Sequence, residues 1–155
     1  METMNIYNEY YTFGDYNIDT KDTRKGKHNT LGYGCLGLIG ELGELMVEIV
    51  ERLPEPISED EAIALEKIEQ FIILSVEIES LKKTIRAKDN PIFVNPNINH
   101  SEELIEEIGG IFWYLNDVTE KLALSLGAIA YENQKMLRKR FNTNPGWMVS
   151  GIKTH

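Results

Sequence analysis

The chain has 155 residues, a net charge of −9, 42% hydrophobic residues and 26% charged ones. That is the make-up of one globular domain with its own core, not of a protein that wraps nucleic acid by neutralising phosphates. No apolar run reaches the ~18 residues of a transmembrane helix, the N-terminus lacks the basic-then-apolar order of a signal sequence, and the lone Cys35 excludes an intrachain disulfide or a cysteine zinc cluster, so no membrane partner and a reduced, cytoplasmic location are expected.

Residues 4–16 carry Tyr7, Tyr10, Tyr11, Phe13 and Tyr16 and read as a short aromatic helix. Asp15 to Thr30 is a polar loop. Leu31 to Leu53 reads as a second helix, ended by Pro54 and Pro56. Ser58 and Glu61 form a capping box for a third, running to about Lys88 and spanning roughly 45 Å. Asp89 to Asn99, with Pro91 and Pro96, is a loop. Asn99 or Ser101 caps a fourth helix to about Leu124, and Ser125 a fifth to about Phe141. No segment alternates strictly enough to demand a strand. The expected fold is all-α, an antiparallel bundle of about five helices in a single domain, 1–155.

The second helix places Glu41, Glu44, Glu48 and Glu51 on one face, with Ile39, Leu42, Met46, Ile49 and Leu53 nearly opposite. By itself this pattern describes a solvated side and a core side. The fourth helix repeats it: Leu104, Ile108, Ile111, Leu115 and Leu122 form an apolar stripe, and Glu103, Glu107, Gly110, Tyr114 and Asp117 share another face. Paired carboxylates on two helices suit magnesium, which takes oxygen ligands and completes its shell with water and substrate phosphate. Such ions would also reconcile an acidic chain with a phosphate-bearing ligand. Trp113 reads as a packing residue, Cys35 as a small core residue, and Lys135, Arg138, Lys139 and Arg140 as either a solvated helix end or an anion contact.

The run from Gly37 to Leu45, GLIGELGEL, resembles the first motif of the MazG-like nucleotide pyrophosphohydrolases. The run from Glu106 to Leu115, EEIGGIFWYL, resembles the second. Asn133, Leu137 and Arg140 resemble the closing N-x-x-K-L-x-x-R. The likeness covers residues 31–53 and 102–141. It implies an all-α homodimer or homotetramer that hydrolyses a nucleoside triphosphate to monophosphate and pyrophosphate with Mg²⁺, Mn²⁺ being a possible substitute. Carried over by position, Glu41, Glu44 and Glu107 are metal ligands and catalytic residues. Arg140 matches a phosphate contact and Asn133 the start of the closing motif; Lys135, next to the motif's lysine position but about 100° around the helix, and Tyr114, on the acidic face of the fourth helix, are further candidate nucleotide contacts. Three departures stand out. Gly110 replaces an aspartate ligand, Met136 replaces a lysine, and residues 54–100 form an extended helical insertion. Gly110 keeps a second reading open, a weakened or inactive relative that binds a nucleotide or a protein partner without turning it over.

Two further patterns carry less. Gly32 to Gly37 matches G-x-G-x-x-G, but no strand precedes it as a dinucleotide fingerprint requires. The glycines at 34, 37, 40 and 43 are better explained by close helix approach. The long third helix has Leu65, Ile68, Ile72 and Leu81, with Phe71, Ile73 and Leu74. That is more apolar surface than a small monomer readily covers, which points to a homo-oligomer.

Overall fold

The computed structural model of the chain describes residues 24, 26–94 and 101–141. Every regular element among them is helical: α1 (Leu31–Val50), α2 (Glu59–Lys88), α3 (Glu102–Lys121) and α4 (Leu126–Phe141). The aromatic helix expected at 4–16 lies outside the described residues. Among those described, no helix is long and apolar enough to cross a membrane. The chain divides into two compact units, one of residues 25–97 and one of residues 1–24 with 98–155.

Local chemistry sets the helix ends. Thr30 is extended (φ −117°, ψ 171°) and its hydroxyl accepts from the Tyr33 N–H. Ser58 accepts from the Glu61 N–H at 3.2 Å. The Glu61 carboxylate reaches back to the Ile57 N–H at 2.7 Å, one residue earlier than a standard capping box. Glu59, Asp60 and Glu61 then lie at the positive end of the α2 dipole, with Arg86 and Lys88 at its negative end. Asp89 closes α2 in the left-handed region (φ 49°), which aspartate tolerates better than most residues. Ser101 caps α3 through the Leu104 N–H at 3.2 Å. Ala123, also left-handed, lets Leu124 donate to the Thr119 carbonyl, five residues back, before α4 begins.

In the unit of residues 25–97, α1 packs on α2 as a helical hairpin. The stripe Ile39, Leu42, Met46, Ile49 is half-buried, and the closest approach is centred elsewhere, on the buried Gly40 and Gly43. These two and Val47 meet Ser75, Val76 and Glu79 around one cleft. A Cβ on Gly40 would lie 2.5 Å from Glu79 Oε2, and one on Gly43 would collide with the Ser75 side chain. Residues 36, 40, 43, 47 and 50 of α1 and 65, 68, 72, 75, 79 and 82 of α2 follow the alternating three-and-four spacing of a coiled-coil seam, with glycine at two α1 positions. Glycine there lets the backbones approach closely.

The open end of the hairpin is tied. His28 Nδ1 lies 2.7 Å from Asp89 Oδ1, which also accepts from the His28 N–H at 3.1 Å. The Thr30 hydroxyl donates to the Ile92 carbonyl. Gly32 is buried with the Phe93 ring and Ile92 against it, and Tyr33 meets His28 edge-on at 4.9 Å. The hydrogen bonds from His28, side chain first and then backbone, hold the Asp89 carboxyl below the usual carboxylate range.

α2 carries a second apolar seam beside the one facing α1. Ile63, Leu74 and Leu81 lie on it and are about half exposed. α3 likewise exposes Ile105, Ile108, Ile111, Phe112, Trp113 and Tyr114. Trp113, expected to pack, is 64% exposed, and Cys35, expected in the core, is exposed. Among the described residues the one buried hydrophobic side chain is Ile85.

Candidate functional site

Glu41 and Glu44 stand one turn apart on α1, both exposed. Their surroundings differ because α1 is rotated by its glycine seam. Gly40, Gly43 and Val47 turn toward α2, so Glu44 flanks that contact while Glu41 lies further round the helix. Glu44 lines a cleft of about 290 Å³ together with Gly40, Gly43, Val47, Ser75, Val76, Glu79, Ser80 and Lys83. Of these, Glu79 pairs with Lys82 at 2.6 Å, both side chains largely buried, and Lys83 approaches the other Glu79 oxygen at 3.8 Å. The cleft thus offers an exposed carboxylate, two hydroxyls and an ammonium around a glycine-lined wall.

Glu48 is engaged elsewhere. Its carboxylate pairs with Arg52 at 2.9 Å, so it is a poor substitute ligand. Of the glycines expected to serve close approach, Gly40 and Gly43 do so. Gly37 has only the Lys82 aliphatic chain at 3.8 Å, and Gly34 has open space among the described residues. Gly32, not singled out for this role, is packed instead.

On α3, Glu107 is exposed and Gly110, three residues on, is half-buried. A Cβ at Gly110 would meet nothing within 4 Å among the described residues, so the glycine is not required there for packing. Tyr114 continues that face, 67% exposed and edge-on to Trp113 at 4.8 Å. Asp117 is tied to Lys121.

On α4, Asn133 is half-buried. Lys135 contacts both Glu132 oxygens at 2.9 Å and lies 5.4 Å over the Tyr131 ring. The Glu132 hydrogen bond raises the Lys135 ammonium above its ordinary value. Arg140 is exposed, and Met136, where the resembled motif has lysine, is 62% exposed.

The structure brings Glu41 and Glu44 together on α1, and Glu107, Gly110 and Tyr114 together on α3. Among the described residues, no group of three or more His, Cys, Asp or Glu side chains is gathered so as to hold a metal ion. Among the described residues carboxylates stand singly or in adjacent pairs, so a Mg²⁺ ion held by one pair would complete its shell with water and substrate phosphate. Two features were missed in the sequence. Glu79 is one charge among many on α2, and its only signal in the sequence is its place in the three-and-four spacing with Ser75 and Lys82. The His28–Asp89 pair spans 61 residues and has no local signal. No family model, curated protein or solved structure matches this chain.

Proposed function

We propose that this protein is a MazG-like nucleotide pyrophosphohydrolase in which Glu41, Glu44 and Glu107 bind Mg²⁺, with Asn133, Lys135, Arg140 and Tyr114 contacting the nucleotide. The observation that carries the reading is the order of its motifs. GELGE on α1 is followed by EEIGGIFWYL on α3 and Asn133 to Arg140 on α4, all helical as the resemblance implies. Glu44 on the rim of the α1–α2 cleft supports it further.

In the reaction, water attacks the α-phosphorus, the bond to the α–β bridging oxygen breaks, and pyrophosphate leaves with the electron pair. The water proton passes to a carboxylate, and Glu44 is the exposed acid at the cleft. Bound Mg²⁺ would neutralise the polyphosphate and hold it in line. Lys135 and Arg140 bring positive charge to a chain of net charge −9. The protein acts in the cytoplasm as a homodimer or homotetramer. The half-exposed Ile63, Leu74 and Leu81, on one face of α2, support the assembly, since they leave apolar area for a partner to cover.

The test is incubation with a panel of nucleoside triphosphates and Mg²⁺, followed by assay for pyrophosphate. Release from at least one nucleotide is expected. Metal-dependent binding without release would select the second reading, a relative that holds nucleotide without hydrolysing it, which Gly110 favours. Absence of both binding and release would remove the proposal.

A further inference from the structure

α2 brings a cation to the cleft that none of the roles above uses. Lys83 lines the same cleft as Glu44, and its side chain is 73% exposed. Glu79 has one negative charge and two lysines beside it. Lys82 takes that charge at 2.6 Å, with both side chains largely buried. Lys83 stands 3.8 Å from the second Glu79 oxygen, beyond hydrogen-bond reach. Its ammonium is therefore the surplus charge on the α2 side of the cleft. On the α1 side the charge is Glu44. A Mg²⁺ ion held there would turn that wall positive as well, and a cleft positive on both walls takes an anion.

The register of the hairpin sets where these two groups stand. Gly43 meets Ser75 and Gly40 meets Glu79. Glu44 is one residue beyond Gly43, and Lys83 is one turn beyond Glu79 in the opposite direction along the hairpin. Their Cα positions are thus about 13 Å apart along the axis. Helical side chains tilt toward the N-terminus of their own helix, so on antiparallel helices Glu44 and Lys83 lean toward each other, over the level of Gly40 and Glu79.

We infer that Lys83 holds the departing pyrophosphate, an assignment that rests on the function proposed above. In-line displacement puts the attacking water and the leaving oxygen on opposite sides of the α-phosphorus. Glu44, at one end of the cleft, is the acid that takes the water proton. The β- and γ-phosphates then point to the other end, where Lys83 stands. As the bridging bond breaks, negative charge gathers on the pyrophosphate, and an ammonium placed there stabilises it. The long helix α2 thus supplies a substrate contact of its own, and not only apolar surface.

The experiment measures, with Mg²⁺ present, dissociation constants for pyrophosphate and for the nucleoside monophosphate of the best substrate, together with turnover of that substrate. Wild type is compared with Lys83→Gln, Lys83→Arg and Lys67→Gln. Lys67 lies on α2 outside the cleft, so its loss removes the same charge elsewhere. Lys83→Gln should weaken pyrophosphate binding about 10- to 100-fold, the worth of a hydrogen bond between charged groups, and leave the monophosphate unchanged. Its kcat should fall, because the contact strengthens as the bond breaks. Lys83→Arg should stay within a few-fold of wild type, and Lys67→Gln should match it. Equal effects of Lys83→Gln and Lys67→Gln, equal losses of monophosphate and pyrophosphate, or wild-type turnover in Lys83→Gln would overturn the assignment and leave pyrophosphohydrolysis standing. A wild type that hydrolyses no nucleotide would instead sink the functional reading, and the role of Lys83 with it.

Discussion

Gly43 of α1 and Ser75 of α2 lie so close that no Cβ fits between them. The Ser75 hydroxyl is turned onto its own helix, donating to the Ile72 carbonyl at 2.7 Å, so the approach of the two backbones is sealed by small groups with satisfied polarity.

Gly43→Ala should therefore destabilise the hairpin. Overpacking of this kind costs ~1–3 kcal/mol, offset by up to ~1 kcal/mol from replacing a helix-interior glycine. Gly34→Ala, at a position with open space, keeps only the gain and should stabilise. Urea denaturation of the two variants should move in opposite directions. Two shifts of the same sign would show that the close approach does not control stability.

Glu44→Gln is expected to abolish or strongly weaken Mg²⁺ and Mn²⁺ binding while leaving helicity unchanged. Glu44 is exposed and no packing depends on its charge, whereas a neutral amide is a poor ligand for a hard divalent ion. Titration calorimetry with circular dichroism as control makes the comparison. Unaltered ion affinity in the variant would move the metal elsewhere.

Gly110→Asp should raise pyrophosphohydrolase turnover. Among the described residues a Cβ at position 110, on the Glu107 face of α3, meets nothing within 4 Å. Stability should change by a few tenths of a kcal/mol at most, because aspartate is a slightly better helix former than glycine but adds like charge near Glu106 and Glu107. Turnover at saturating Mg²⁺ in the two proteins decides the matter. A variant no faster than wild type would show that position 110 is not a lost ligand position.

The Asp89 carboxyl titrates below its ordinary range because His28 donates to it. A depressed folded-state value means that the contribution is present above the usual carboxylate value of ~3.9 and is lost as pH falls through the lower, folded-state value. Asp89→Asn should thus lower thermal stability near neutral pH and flatten the acid limb of the melting curve. If the variant's melting temperature tracks wild type at every pH, the clasp contributes nothing measurable.

Assembly is tested by mass. Sedimentation at micromolar concentration should give at least twice the 17.8 kDa of one chain. Placing charge on the exposed seam with Leu74→Glu and Leu81→Glu should reduce it toward one. A wild type that sediments as a single chain would exclude the oligomer.

The ends of the helices were readable in the sequence because their signals are local: Pro54 and Pro56 after α1, Ser58 before α2, and Ser101 before α3 all act within a few residues of themselves. The rotation of α1 was not. Periodicity favours Ile39, Leu42, Met46 and Ile49 as the buried stripe, yet α1 turns Gly40, Gly43 and Val47 to its partner. Glycine contributes no hydrophobic signal, while the approach it permits decides which face packs. The acidic pairs could be named from spacing, but their environments could not. Glu44 reaches the cleft and Glu48 is taken by Arg52, although both sit on one stripe.

The bond between His28 and Asp89 has a further consequence for how this hairpin can change. Because the chain leaves and returns at one point, the length of the arms is independent of where their ends are held. Adding one heptad to each arm next to the bend at Pro54 and Pro56 would extend the hairpin by about 10 Å, continue the three-and-four spacing, and leave His28, Thr30, Asp89 and Ile92 where they are. A change in one arm alone would break that register. Insertions and deletions here are tolerable only as matched pairs, which makes reach along this axis adjustable in steps of two turns.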